Sequence, residues 1–186
     1  MDGQVSDAEL AARFGRDPDQ FTAVYDRHFR DIYLYVAGRL DVQAAEDIAA
    51  ETFCVAFGQR DRFGPVRGSL PPWLSGIATN LVARHRRKEA RHYRALAHSG
   101  AEPAADSHEN RVVASVAARA FQPQLARALT TLSRGERDVV LLVAVSQLSH
   151  EEVVQALGIS PGTVRSRLSR ARTKLRNAID QEEVNG

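Results

Sequence analysis

Apolar residues along this chain recur at three- to four-residue spacing, the period of an amphipathic helix, and no stretch shows the alternation of a strand. Phe21, Val24, Tyr25, His28, Ile32 and Val36 form one such stripe and predict a helix over about 19–40. Ahead of it, the SDAE string from Ser6 to Glu9 reads as a capping box opening a short helix. A second long helix follows in QAAEDIAAETFCVAFGQRDRF, with Ile48, Thr52, Val55 and Ala56 on or near its buried side. The stretch GPVRGSLPP then breaks the period with two glycines and three prolines, which demands a loop. Pro71 and Pro72 suit the first turn of a third helix, which carries Trp73, Leu74, Ile77, Ala78, Leu81 and Val82 before turning basic in RHRRKEARHYR.

From His98 to Asn110 the residues are small, polar and without period, which reads as a flexible linker. Helical patterns resume in roughly 111–132, 134–147, 150–157 and 161–179. Two capping boxes, SRGE at Ser133–Glu136 and SHEE at Ser149–Glu152, each start an apolar run. Gly158 suits the left-handed turn after a helix, and Ser160 followed by Pro161 suits the start of the next. Helix, tight turn, helix is the helix-turn-helix arrangement. The expected fold is all-α, with two small helical domains at 1–96 and 121–186 joined by a linker at 97–120.

The 186 residues suffice for one ordinary domain or two small ones. No apolar run approaches the roughly 20 residues of a membrane span, and the start of the chain lacks a signal-peptide pattern. Cys54 is the single cysteine, so neither an intrachain disulfide nor a cysteine-rich zinc site is expected, and a reducing cytoplasm is the natural setting. The net charge of +2 hides an uneven distribution. Residues 1–61 hold 6 basic and 12 acidic groups, residues 62–94 hold 8 and 1, and residues 160–176 hold 6 and 0. Two basic blocks on an otherwise acidic chain are the electrostatic footprint of a nucleic-acid binder.

The second block resolves further on a helical projection. Val164, Leu168, Ala171 and Leu175 share a narrow stripe that must pack on the domain. Ser166, Ser169, Arg170 and Thr173 take the opposite face, flanked by Arg165, Arg167, Lys174 and Arg176. A solvated helix mixes acids with its lysines, whereas here small hydroxyls are surrounded by long cations. That face admits close backbone approach to a groove while the cations reach phosphates or guanine edges. This helix reads as a DNA reader.

The string LTTLSRGERDVVLLVAVSQLSHEEVVQALGISPGTVRSRLSRARTKLR resembles the fourth conserved region of bacterial sigma factors, which recognises the promoter −35 element. AAEDIAAETFCVAF followed by WLSGIATNLVARHRRKEAR resembles their second conserved region. Both in this order, over roughly 20–92 and 122–178, resemble an extracytoplasmic-function (ECF) sigma factor. The resemblance implies docking on the clamp helices of the largest polymerase subunit through Glu46, Asp47, Glu51 and Phe53. Phe53 also reads as core, and Ala50 stands where the family often has Gln. It implies −10 recognition by Arg62, Phe63, Arg67, Ser69, Asn80, Arg84, Arg87 and Lys88, which supply the cations, polar groups and stacking surface that a flipped base and displaced strand need. Trp73, at the head of an apolar stripe, reads as core. An acid is common where this chain has Arg84, so a familiar internal ion pair is absent or remade. For the −35 element it implies Arg165, Ser166, Arg167, Ser169 and Arg170, with Ser160 and Thr163 where helix N-terminal amides meet a phosphate. Spacing leaves open which arginine meets a base.

The implied partners are core RNA polymerase, through its clamp helices and flap region, promoter DNA, duplex at −35 and single-stranded at −10, and an anti-sigma protein; no membrane partner is expected. None of the six histidines has a spacing such as H-x-x-x-H beside an acid, and no glycine-rich phosphate loop or nucleophile motif occurs. No catalytic residue, metal or cofactor is therefore expected. The rival reading is a helix-turn-helix regulator acting without polymerase. Its first domain would serve ligand binding or dimerisation rather than carry its own basic helix.

Overall fold

A computed structural model describes residues 6–14, 16–63, 69–97 and 123–185, and every extended element among them is helical. Helix α1 (Asp7–Phe14) opens on the expected box: the Glu9 amide donates to Ser6 Oγ and the Ser6 amide to the Glu9 carboxylate. Helix α2 (Phe21–Ala37) begins later than the periodicity suggests. Asp17 caps a separate 3-10 turn, Pro18–Gln20, and accepts from the Asp19 amide at 3.0 Å. Asp41 caps α3 (Val42–Gly58) by accepting from the Ala44 amide. The QRDRF end of the second predicted helix instead forms a 3-10 turn at Arg60–Arg62. Helix α4 (Leu70–Ala97) takes both prolines in its first turn and stays helical through the basic run. The expected linker, from His98 onward, and the helical pattern over 111–122 lie outside the described residues.

After it come α5 (Pro123–Thr130), α6 (Arg134–Ala144), α7 (His150–Leu157) and α8 (Pro161–Asn185). Both predicted capping boxes close in full, at Ser133/Glu136 and Ser149/Glu152. Gly158 ends α7 with φ 63°, a backbone that side chains resist, and Ser160 Oγ accepts from the Thr163 amide to start α8.

The first half is organised by rings. Phe53 meets Tyr25 edge-on at 5.0 Å between centroids, and Phe63 lies 4.8 Å from Trp73, with Phe14 edge-on to both Phe63 and Trp73. Edge-on and offset pairs of this kind add about 0.5–1.5 kcal/mol each beyond burial.

The two halves pack against each other. Where α2 ends, Gly38 is so close to α6 that an added Cβ would sit 2.6 Å from Leu141 Cδ1. Beside it, Arg39 is buried, and its Nη2 lies 2.8 Å from Asp138 Oδ1 on α6. Arg39 also donates to the hydroxyl of Tyr35, which bonds Thr79 Oγ1 at 2.7 Å. Burial raises the Tyr35 phenol to about 12, so it stays a donor throughout the working range. At the start of α4, Ser69 Oγ donates to Glu152 Oε1 at 2.7 Å, tying the loop before α4 to α7. No helix among the described residues is long and apolar enough to cross a membrane.

Candidate nucleic-acid interface

Helix α8 buries Val164, Leu168 and Ala171 against α5, α6 and α7, so its opposite side is fixed outward. Arg165, Ser166, Ser169 and Arg170 are exposed there, as is Ser160, while Thr163 and Arg167 are half-buried. Arg167 lies over Gly135, where its guanidinium fills the space that a Cβ would take. Its guanidinium is thus held against the first turn of α6.

Beneath this surface Glu136 gathers cations. Its carboxylate, 5% exposed, accepts from the Ser133 amide at 2.9 Å and from Lys174 Nζ at 2.8 Å, and stands 3.3 Å from Arg170 Nε. Burial pushes this carboxyl up, but the hydrogen bonds from Lys174 and Ser133 outweigh it and bring it down to about 2. Arg170 is therefore pre-oriented, though still 61% exposed.

A depressed folded pKa contributes stability above the ordinary value of 4.5, lost as pH falls from 4.5 towards 2. With solvent screening around half-exposed Lys174, the contribution is about 1–2 kcal/mol. Urea unfolding of wild type and Glu136→Gln between pH 6 and 2.5 measures it. The gap between the two is expected to close as pH falls, and a constant gap would show that the charge of Glu136 is not what matters.

On the other flank of α8, Arg165, Ser169, Arg172 and Arg176 join His150 around a shallow notch of about 260 Å³. Three arginines at the mouth of a helix-turn-helix suit a phosphate. His150 and Arg172 were not named in the sequence reading, and Arg176 was named there only as a flanking cation. The signal was present, since positions 165, 169, 172 and 176 follow the i, i+4, i+7, i+11 pattern of one helical stripe.

On α4, Asn80, Arg84, Arg87 and Lys88 are all exposed and continue the stripe towards Arg91. Glu46 and Asp47 are exposed on α3, and Glu51 lies beside them, ion-paired to Arg84.

The chain matches the Sigma-70 region 2 family model over residues 24–92 and the Sigma-70, region 4 model over residues 122–175. It is 31% identical over 161 residues to the ECF RNA polymerase sigma factor SigC of Mycobacterium tuberculosis, covering 84% of this chain and 82% of that protein. SigW of Bacillus subtilis is 31% identical over 174 residues, covering 88% and 90%. Among solved structures, CnrH in complex with the cytosolic domain of CnrY superposes with a TM-score of 0.65 at 25% identity, covering 94% of this chain and 97% of that one. The chain belongs to the ECF family of RNA polymerase sigma factors. It is thus a DNA-binding transcription regulator of the class that directs initiation at specific promoters.

Several residues assigned from the resemblance sit differently in this sigma factor. Phe53 is 1% exposed among Tyr25, Phe29 and Phe21, so it holds α3 in place and presents no surface for docking. Phe63, 4% exposed against Trp73 and Phe14, likewise offers no free face to a base. Both follow from one cause, the cluster of nine rings that spans α1 to α4 among the described residues. Ser69 is engaged by Glu152, and Arg84 by Glu51, which is the remade ion pair. Arg67 and the side chain of Arg62 lie outside the described residues.

Proposed function

We propose that this sigma factor works in the cytoplasm as a non-enzymatic specificity subunit that opens when it engages polymerase and a promoter. α4 then contacts the −10 strand, and α8 contacts the −35 duplex. The observation that carries this reading is the pairing of two outward basic stripes with an acidic face at Glu46, Asp47 and Glu51. The packed arrangement described above is the form free of polymerase. The elements of a −10/−35 promoter lie roughly 25 base pairs apart, or about 85 Å at about 3.4 Å per pair. A compact chain of this length has a radius of gyration of only about 16 Å. Both elements cannot be read together until Arg39–Asp138 and Ser69–Glu152 part.

Run-off transcription with purified core polymerase on a two-element promoter tests the proposal. The sigma factor is expected to confer initiation that depends on both elements while binding DNA weakly alone. Tight binding to duplex DNA alone, with core enzyme left inactive, would establish the polymerase-independent regulator instead.

CnrH occurs in complex with the cytosolic domain of CnrY. For this chain the corresponding proposal is a protein that competes with polymerase for the Glu46, Asp47 and Glu51 face. A pull-down with and without saturating core enzyme decides it: the partner is expected to be displaced, and one that stays bound rules out competition there.

A further inference from the structure

Beside the basic stripe of α4, Asp41, His85 and Glu89 bring a carboxylate, an imidazole and a second carboxylate within 4.8 Å of one another. We propose that these three residues bind a borderline divalent metal ion of the Zn²⁺ class, clamping the N-terminus of α3 to α4. All three are half-buried. His85 and Glu89 stand one helical turn apart on α4, which puts them on one face. The 3.5 Å from His85 Nε2 to Glu89 Oε2 is close to the ligand–ligand spacing of about 3.4 Å around a tetrahedral ion with bonds of about 2.1 Å. Asp41 Oδ1 already caps the Ala44 amide, and the remaining oxygen can turn inward, because a carboxylate serves two partners at once.

A second observation points the same way. His85 Nε2 is shut off from solvent and makes no hydrogen bond, so its lone pair is not spent on a protein donor while it faces Glu89. Of the neighbouring cations, Arg84 is drawn to Glu51 and Arg86 donates to the Arg39 carbonyl at 2.9 Å. Two carboxylates and a neutral imidazole balance a divalent charge, and a mixed nitrogen and oxygen set without thiolate favours Zn²⁺ over the all-oxygen preferences of Mg²⁺ and Ca²⁺. Three protein ligands leave a fourth position for water. The site does not follow an H-x-x-x-H pattern, because its helical pair is His85-x-x-x-Glu89 and its third ligand caps a different helix.

The location gives the ion a consequence. Asp41 follows by two residues Arg39, whose guanidinium reaches Asp138, and α3 carries the acidic face while α4 carries the basic stripe. An ion here stiffens the turn on which docking face, basic stripe and domain junction all converge.

The test uses the full chain stripped of metal with a chelator, then titrated with Zn²⁺ by calorimetry and with Co²⁺ by visible absorption. One ion per chain is expected, with a raised melting temperature and cobalt bands of a nitrogen–oxygen site. Asp41→Asn preserves the helix cap and His85→Gln preserves the helix, so both should melt like the metal-free wild type. Each should weaken Zn²⁺ binding by more than the roughly tenfold that loss of an outer-shell partner costs. Unchanged affinity in His85→Gln, a cobalt–thiolate band reporting Cys54, or equal displacement by Mg²⁺ would each overturn the proposal.

Discussion

Asp138→Ala is expected to separate the two domains of this sigma factor without unfolding either one. Arg39 has only a 3% exposed side chain, lies 4.7 Å over the Tyr35 ring, and has Asp138 as its counter-charge across the junction. Removing one partner of a buried pair leaves an uncompensated charge at a cost of about 3–5 kcal/mol. The chain has two ways to relieve it: melt, or open the junction so that water reaches the guanidinium. Opening is the easier course because the junction is not a dry core. A cleft of about 390 Å³ runs between the halves, and three of its lining atoms, His28 Nε2, Ser75 Oγ and Ser146 Oγ, are buried without a hydrogen-bond partner. Burial also holds His28 below its ordinary pKa, so it adds no charge to the cleft near neutrality. Small-angle scattering should show an increased radius of gyration for Asp138→Ala, with melting of the first domain little changed. Core polymerase should bind the variant faster, since separation has already occurred. A variant that stays compact and simply melts earlier would mean that the junction is part of one folding unit.

What the sequence disclosed depended on the range of the interaction. Caps and turns are decided within four residues, so Ser6, Ser133, Ser149 and Gly158 were legible before any fold was known. The stripe of Val164, Leu168 and Ala171 was legible for the same reason, and it fixed which side of α8 faces outward. Pairings between distant residues were not legible. Phe53 and Phe63 look alike as docking or stacking groups until Tyr25, Phe14 and Trp73 close over them. Glu51 and Arg84 were assigned to different partners, yet they meet each other, because α3 and α4 run side by side. The contact of Ser69 with Glu152 links an expected −10 residue to the opening turn of the helix-turn-helix, and nothing local in either segment announces it.

Arg165→Ala and Arg170→Ala, which the resemblance treats alike, are expected to differ in kind. Arg165 shares its notch with Arg172, Arg176 and His150, and no acid lines it. Such a cluster neutralises a phosphate, so losing Arg165 should weaken binding on every DNA sequence and reduce the salt slope by about 0.9. Arg170 stands apart from that notch, with Glu136 3.3 Å from its Nε. That contact lowers its value as a free charge but fixes the fork of the guanidinium, which is what a bidentate contact to guanine requires. Arg170→Ala should therefore cost about 1–3 kcal/mol, roughly 5- to 150-fold, on a cognate −35 element and little on a scrambled one. Glu136→Gln should erode the same discrimination while leaving the salt slope nearly unchanged, because it loosens the fork without removing a cation from the surface. Binding of holoenzyme to cognate and scrambled −35 duplexes across a salt series measures both quantities. Equal losses on the two sequences for Arg170→Ala would make it a second phosphate contact and leave base reading to the hydroxyls of Ser166 and Ser169.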